Sequence, residues 1–338
     1  MGRTLKRSKG HVHKVSGAGI PFGKLLLLML FSFTFPGLVM AEKAPTSERL
    51  KLHIPHQVNT TYGIHNYIVT VLTRTLEITQ DQYGPFVLIA EEEAAVQSRQ
   101  IRNLERGISD IIWMISANDR EQRARVIPVP IIGGLYGYRV LLVRERDKRF
   151  SQAKKLPELR ELLLVQGPDW PDTRILADNH FEVETAPYRA GFRMLQRGYV
   201  DAYPRAAHEA LFELTQPLAD NLTIDPYNLL SYPNPLFFYV AEWNTELAER
   251  LETGLKVMVE SGELQSLLES QGFYQTTYDV LAGRTVYELN NPVLSDVARN
   301  AVERYLDTEE VLEYVSRSPA MPSPEPTFQV KRERDDSQ

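Results

Sequence analysis

Leu104-Glu105-Arg106-Gly107-Ile108-Ser109-Asp110 runs directly into Ile111-Ile112-Trp113-Met114-Ile115. Its outline returns at Leu195-Gln196-Arg197-Gly198-Tyr199-Val200-Asp201, ahead of Ala202-Tyr203-Pro204-Arg205. Each copy reads as the end of a helix, a glycine stop and then a strand. Glycine enters the left-handed conformation without the Cβ penalty, so it closes a helix just past its last turn. Two such junctions, well separated along the chain, predict two α/β lobes built alike. Two lobes make a cleft, and clefts between domains are where small ligands bind.

Working outward from the first junction, Leu50–Ile54 alternates as a strand. Ile64, Tyr67, Ile68, Val71, Leu72 and Leu76 recur at helical spacing, so an amphipathic helix is expected from Gly63 to Ile78. Phe86–Ala90 reads as a strand, Ala94–Arg106 as a helix and Ile108–Ile115 as the next strand. Strands alternating with helices imply a largely parallel sheet with helices on its faces. Val126–Pro130 and Tyr138–Val143 read as extended. The charged stretch Arg144–Lys155 reads as a crossing into a second lobe, which repeats the scheme up to Thr215. Leu236–Val240 then returns the chain to the first lobe, and the helix carrying Leu247, Leu251, Leu255 and Met258 follows. Two crossings form a hinge, and a hinge permits closure.

The ends differ from this body. Residues 1–41 carry six Lys and Arg, no acid, and the apolar run Leu25–Phe35 before Val39-Met40-Ala41. This is the pattern of an export signal cleaved before Glu42, and the run is short of the ~20 apolar residues of a membrane span. Removing it leaves 32 Lys and Arg against 44 Asp and Glu, a net charge of −12, which argues against nucleic acid or anionic membrane as partner. There is no cysteine. Disulfides, thiolate chemistry, cysteine zinc sites and a lipid-anchored N-terminus are thereby excluded. Residues 316–338 hold four prolines and a charged run with little to bury, and are expected to be disordered.

The order of elements, the two G-x-x-D strands, the Arg-containing loop ahead of a Pro-rich extended segment, and the late helix Leu247-Ala248-Glu249-Arg250-Leu251-Glu252-Thr253-Gly254-Leu255 resemble type II periplasmic substrate-binding proteins. The match is to solute-binding family 3, the polar-amino-acid type, over Leu50 to Phe273. The resemblance implies a two-lobed α/β fold, each lobe a mostly parallel sheet flanked by helices, with two hinge crossings. The expected division is 42–143 with 235–275 as the first lobe, 144–234 as the second, and 276–315 as a helical extension. The implied function is a periplasmic binding protein, monomeric and without cofactor, that closes on a small polar ligand. That ligand would be an amino acid or related carboxylate, delivered to a membrane permease for ABC-type uptake or reported to a sensor receptor.

Ligands of α/β sheets sit at the carboxyl ends of strands. That rule nominates His56, Gln57 and Tyr62 after the first strand, then Ser116, Asn118 and Arg120 after the third. In the second lobe it nominates Gln166, Asp169 and Trp170, then Arg205, His208 and Glu209. The family resemblance makes Arg120 the arginine that grips a ligand carboxylate, a fit its guanidinium fork suits, with Arg123 and Arg125 as alternatives because Ala117-Asn118-Asp119-Arg120 departs from the family's Thr-Pro-Glu-Arg. Family members commonly place an acid for the ligand ammonium at the end of the strand that begins at Asp201. Here Arg205 stands near that position, either disfavouring an amino group or pairing with Glu209 one turn on. Gln166-Gly167 precedes a helix start, and Trp170 and Tyr62 offer rings for stacking. Trp113, inside an apolar strand, reads as core.

Enzyme signatures are poor. His208-Glu209 lacks the second histidine of a zinc-protease motif, no G-x-S-x-G elbow occurs, and seven scattered histidines make no metal cluster. A dehydratase-like enzyme on the same fold is the rival reading, with Asp169, Asp172 or Glu209 as general acid or base.

Overall fold

The computed structural model of the chain describes residues 49–56 and 63–317. The expected export signal, Gln57, Tyr62 and the tail beyond residue 317 lie outside the described residues.

The first lobe opens with β1 (Leu50–Ile54), α1 (Ile64–Ile78), the single turn α2 (Gln80–Tyr83) and β2 (Phe86–Ala90), which pairs parallel to β1 with Leu50 opposite Phe86. α3 (Gln97–Glu105) leads through the first glycine junction into β3 (Ile111–Ile115), and α4 (Asn118–Glu121) and β4 (Arg125–Ile127) follow. The second lobe holds β5 (Tyr138–Arg144), α5 (Leu156–Arg160), β6 (Leu163–Gln166), α6 (Pro171–Asp178), β7 (Glu182–Thr185) and α7 (Tyr188–Gln196). The second glycine junction leads to β8 (Tyr203–Ala206), α8 (Ala207–Glu213) and the long β9 (Leu222–Ser231). The chain then returns as β10 (Leu236–Val240) and α9 (Thr245–Glu260), and ends its described part with α10 (Glu263–Glu269), α11 (Gly272–Leu281), β11 (Thr285–Glu288), α12 (Asp296–Tyr305) and α13 (Thr308–Arg317).

The repeated heptapeptide does the same work twice. Gly107 and Gly198 take φ of 66° and 75°, and each amide donates to the carbonyl three residues back, Leu104 and Leu195. Downstream, the Asp110 amide donates to the His53 carbonyl at 2.9 Å while Asp110 Oδ2 accepts from the His53 amide at 2.7 Å. In the second lobe the Asp201 amide donates to the Leu163 carbonyl at 2.7 Å, and Asp201 Oδ2 accepts from the Leu163 amide at 2.9 Å. Each aspartate thus locks the strand after the glycine onto the first strand of its own βαβ unit, satisfying backbone groups that a buried strand end cannot leave open. Asp201 therefore serves the sheet rather than a ligand.

Pairing is parallel for β1·β2 and β6·β7, but β10 runs antiparallel to β3 and β4, and β5 antiparallel to β8 and β9. The antiparallel members are the strands by which the chain enters each lobe from the other. The crossing expected at Arg144–Lys155 therefore moves earlier. β5, assigned from sequence to the first lobe, hydrogen-bonds only within the second, so the chain crosses between Pro128 and Gly137 and returns through Tyr232–Pro235. A strand buried on both faces carries no local mark of the sheet it joins.

The segment after α11 is more than a helical extension. β11 adds to the second-lobe sheet beside β9. Leu294, Ala298 and Ala301 pack against Ile101, Leu104 and Met114 of the first lobe, and Val315 enters the second-lobe core with Leu281. The extension thereby contributes to both lobes. Among the described residues no helix is long and apolar enough to cross a membrane.

Candidate functional site

The carboxyl ends of β1, β3, β6 and β8 face one another across the cleft, as the strand-end rule requires. Between the lobes lies a cavity of about 220 Å³, lined from the first lobe by His56, His65, Gln97, Gln100 and Trp113 and from the second by Arg139, Trp170, Asp172, Arg205 and Glu209. It is smaller than the ~300–1,000 Å³ of pockets for drug-sized molecules, which restricts an occupant to a small solute. The lobes touch at its lips. The Ser98 amide donates to Asp169 Oδ2 at 3.2 Å, Arg120 Nη2 to the Asp169 carbonyl at 3.0 Å, and Arg174 pairs with Asp119 at 3.0 Å.

The second-lobe wall is a buried ionic network. Arg205, 5% exposed, pairs through Nη2 with Glu209 at 2.9 Å and with Glu213 at 2.7 Å, and its Nε donates to both Glu213 oxygens at 3.0 Å. The Tyr188 hydroxyl donates to the same carboxylate at 2.9 Å. The indole of Trp170 covers the guanidinium at 4.8 Å, a cation–π contact. Beside it Arg139 pairs with Asp172 at 2.6 Å, and the Tyr232 hydroxyl donates to the same oxygen at 2.6 Å. Burial opposes the Arg205 charge, yet Glu209 and Glu213 raise it well above its ordinary value. Burial pushes Glu213 up, whereas for Glu209 burial is outweighed by Arg205, His208 and Arg139, which hold it below the usual carboxylate range. Two arginines face three carboxylates here, and Glu209 is the member of the Arg205 cluster that reaches both the arginine and the cavity.

Arg120 is also 5% exposed but differently spent. Nη1 donates to the Ile115 carbonyl at 2.7 Å, and Nη2 donates to Gln97 Oε1 as well as to Asp169. Burial pulls its guanidinium down, with no carboxylate bonded to it. It stands behind the wall rather than on it, and Gln97 comes between it and the cavity. Because arginine only donates, Gln97 must turn its oxygen to Arg120, leaving its NH₂ as the other polar end.

The remaining candidates divide clearly. Trp170, Arg205, Glu209 and His56 line the cavity. Ser116 is buried and donates to Glu121 at 2.5 Å, and Asn118 is exposed with its amide on the Val293 carbonyl at 2.9 Å. Gln166 is buried and donates to the Pro204 carbonyl at 2.9 Å, and Asp169 sits at the lip. Arg123 grips Glu105 on the surface at 2.7 and 2.9 Å, and Arg125 is exposed on β4. Arg205 pairs with Glu209, one of the two alternatives its spacing offered, and also with Glu213, which sequence reasoning did not weigh. His208 packs edge-on to Tyr136 at 4.5 Å beneath the network, and burial pulls its pKa to about 4. Trp113, expected in the core, both packs there and lines the cavity against His65 at 5.4 Å. Arg139 was missed, although an arginine inside the apolar run Tyr138–Val143 is a readable signal, since buried arginines need partners. Among the described residues no group of three or more His, Asp or Glu is placed to hold a metal ion.

No protein-family model matches the chain, and no curated protein matches it. Solved structures do. The periplasmic VFT2 domain of Bordetella pertussis BvgS aligns at 17% identity and a TM-score of 0.51, covering 65% of this chain and 92% of that one. A double mutant of the same domain gives 18% identity, 0.51, 65% and 91%. A Salmonella typhimurium periplasmic binding protein of high arginine specificity aligns at 16% identity and a TM-score of 0.48, covering 65% and 98%. At such identities the likeness is one of fold: the chain has the two-lobed type II periplasmic-binding-protein architecture that its sequence resembles.

Proposed function

We propose that the chain is an extracytoplasmic solute-binding protein that closes its lobes on a small polar solute carrying a cationic group, an amino acid or a close relative. One observation carries this reading: the inter-lobe cavity of about 220 Å³ takes aromatic side chains from both lobes and charged ones from the second, with Glu209 at its wall. A ligand ammonium beside Glu209 would complete the balance of three carboxylates against two arginines. Trp170 would cover its apolar part, and the Gln97 amide, braced by Arg120, would meet its carboxylate. The signal pattern expected over residues 1–41, the net negative charge and the fold support a role outside the cytoplasm, with a membrane permease or sensor receptor as the partner reading the closed form. Closure follows only from preferential binding to the closed state.

The test is a thermal-shift panel of amino acids, opines, small carboxylates, polyamines and short peptides on the chain from Glu42. A ligand at a hundred times its Kd stabilises by about 2.7 kcal/mol. The expected hit is a solute with an ammonium group, bound at least about tenfold more weakly by Glu209→Gln, equivalent to ~1.4 kcal/mol. A panel without hits, or hits indifferent to Glu209→Gln, would remove the reading. Chemical turnover of the hit would move the assignment to the dehydratase-like enzyme.

A further inference from the structure

A second cavity, larger than the cleft at about 550 Å³, lies among the first crossing segment, α10, α11, and the region from the end of α12 into α13. Val129, Pro130 and Ile131 of the crossing form its floor, and Leu264 and Leu268 continue the apolar surface. Five tyrosines surround this floor: Tyr67, Tyr274, Tyr278, Tyr305 and Tyr314. Three of them, Tyr274, Tyr278 and Tyr314, form a connected wall. Tyr274 and Tyr278 have ring centroids 4.9 Å apart, Tyr278 and Tyr314 meet edge-on at 5.4 Å, and the Tyr67 hydroxyl donates to the Ile131 carbonyl at 2.6 Å.

The charged groups at this cavity are of one sign. Glu269, Asp307 and Glu310 line it, and no Lys, Arg or His does. Gln265 donates to Glu269 at 2.8 Å, and Asp307 accepts from the Glu310 amide at 2.9 Å, but none of the three carboxylates has an ion pair among the described residues. Ring faces carry negative electrostatic potential, so aromatic walls and carboxylates favour the same occupant, a cation with an apolar body. The surface already displays this chemistry: the Arg304 guanidinium stands 5.1 Å from the centroid of Tyr305. The Tyr274–Tyr278–Tyr314 wall carries no such contact of its own within the described residues.

From this combination we infer that the cavity is a second binding site, separate from the cleft, for a small organic cation with an aromatic or alkyl body, such as an arylalkyl amine or quaternary ammonium. The apolar floor would take the body, the tyrosine faces the charged end, and Glu310 and Asp307 would neutralise it. An anion of the same shape would meet three carboxylates, and a neutral analogue would lose both electrostatic contributions.

The experiment uses three probes of one shape on the full chain: 2-phenylethylamine, 2-phenylethanol and phenylacetate, followed by calorimetry and ligand-observed NMR. The amine is expected to bind saturably, the alcohol at least about tenfold more weakly, and phenylacetate not at all. Glu310 and Tyr314 are exposed on α13, so Glu310→Gln and Tyr314→Leu leave the fold intact. Each should weaken the amine several-fold, whereas Glu209→Gln in the cleft should not. Equal binding of amine and alcohol, no saturable binding of the amine, or loss through Glu209→Gln with none through Glu310→Gln would overturn the proposal. The last result would place the amine in the cleft and leave the solute-binding reading standing.

Discussion

The two walls of the cleft are each built around an arginine withdrawn from water to the same extent, 5% exposed, yet they solve the burial problem in opposite ways. In the first lobe Arg120 is satisfied by two carbonyls and a glutamine side chain, neutral acceptors that keep the positive charge uncompensated. In the second, Arg205 is held by two carboxylates and roofed by an indole. Desolvation therefore dominates at Arg120 and pulls its pKa down, while Coulombic attraction prevails at Arg205 and raises it. Arg120 bonds across the cleft to the Asp169 carbonyl of the other lobe, whereas the Arg205 network lies within one lobe.

The largest effect should separate these two arginines. Arg205→Ala strands Glu209 and Glu213 together in a buried site, and breaking a buried pair from one side costs about 3–5 kcal/mol. Arg120→Ala removes donors from neutral acceptors, for which about 1–3 kcal/mol is the usual loss. Urea unfolding of both variants should show the Arg205 change to be clearly the more damaging. Equal losses would mean that the carboxylates around Arg205 adapt by taking up protons, and the contrast between the walls would fail.

A pH titration sharpens the comparison, because the second wall has a titratable group beneath it. His208 is buried next to Tyr136, with Arg139, Arg205 and Glu209 as the charged groups that shift it, and its pKa falls from 6.5 to about 4, chiefly through burial. Above pH 6.5 it is neutral in both folded and unfolded chains. Below that, the unfolded chain takes up a proton that the folded one refuses until about pH 4. Stability is therefore lost as pH falls through this window, by about 3 kcal/mol when fully developed. His208→Phe should remove that component. Taking the difference between wild type and variant cancels the opposite contribution of Glu213, whose raised pKa favours the folded state as pH falls. A difference that stays constant from pH 7 to 4 would show that His208 already titrates normally in the fold.

What could be read in advance follows the same division between local and distant causes. The glycine junctions lie within one short phrase, and β1, β2 and the α1 face follow from the local apolar pattern, so these were legible, whereas the bonds by which Asp110 and Asp201 lock His53 and Leu163 join residues distant in sequence and were not. The sheet that β5 joins was not, because its apolar run Tyr138–Val143 is equally compatible with either lobe and only pairing with β8 and β9 decides. Arg120 occupies the expected loop, but Gln97 and the Asp169 carbonyl, distant in sequence, occupy its donors and draw it off the cavity wall. Arg139 and Glu213 were readable as charges in buried-looking elements. Their mutual neighbourhood with Arg205, Asp172 and Glu209 was not, since it depends on how β5, β8, α6 and α8 come together.

The smallest effect is expected at Arg123, the alternative carboxylate arginine in the same loop as Arg120. Its guanidinium makes the best-formed ion pair in that region, bidentate to Glu105 at 2.7 and 2.9 Å, and Glu105 holds its pKa up through that hydrogen bond. Both side chains are exposed by more than a third, 40% and 36%. Water and salt therefore screen the attraction, and ordering two long side chains offsets part of what remains, so such a pair contributes less than about 1 kcal/mol. Arg123→Ala should lower stability by that amount at most, by still less in high salt, and should leave binding of any cleft ligand unchanged. Three arginines of the two lobes would then rank by their surroundings rather than by the geometry of their bonds: Arg205 among buried carboxylates, Arg120 among buried carbonyls, Arg123 in water. A substantial loss of ligand affinity in Arg123→Ala would break that ranking and return the carboxylate-binding role to the loop surface.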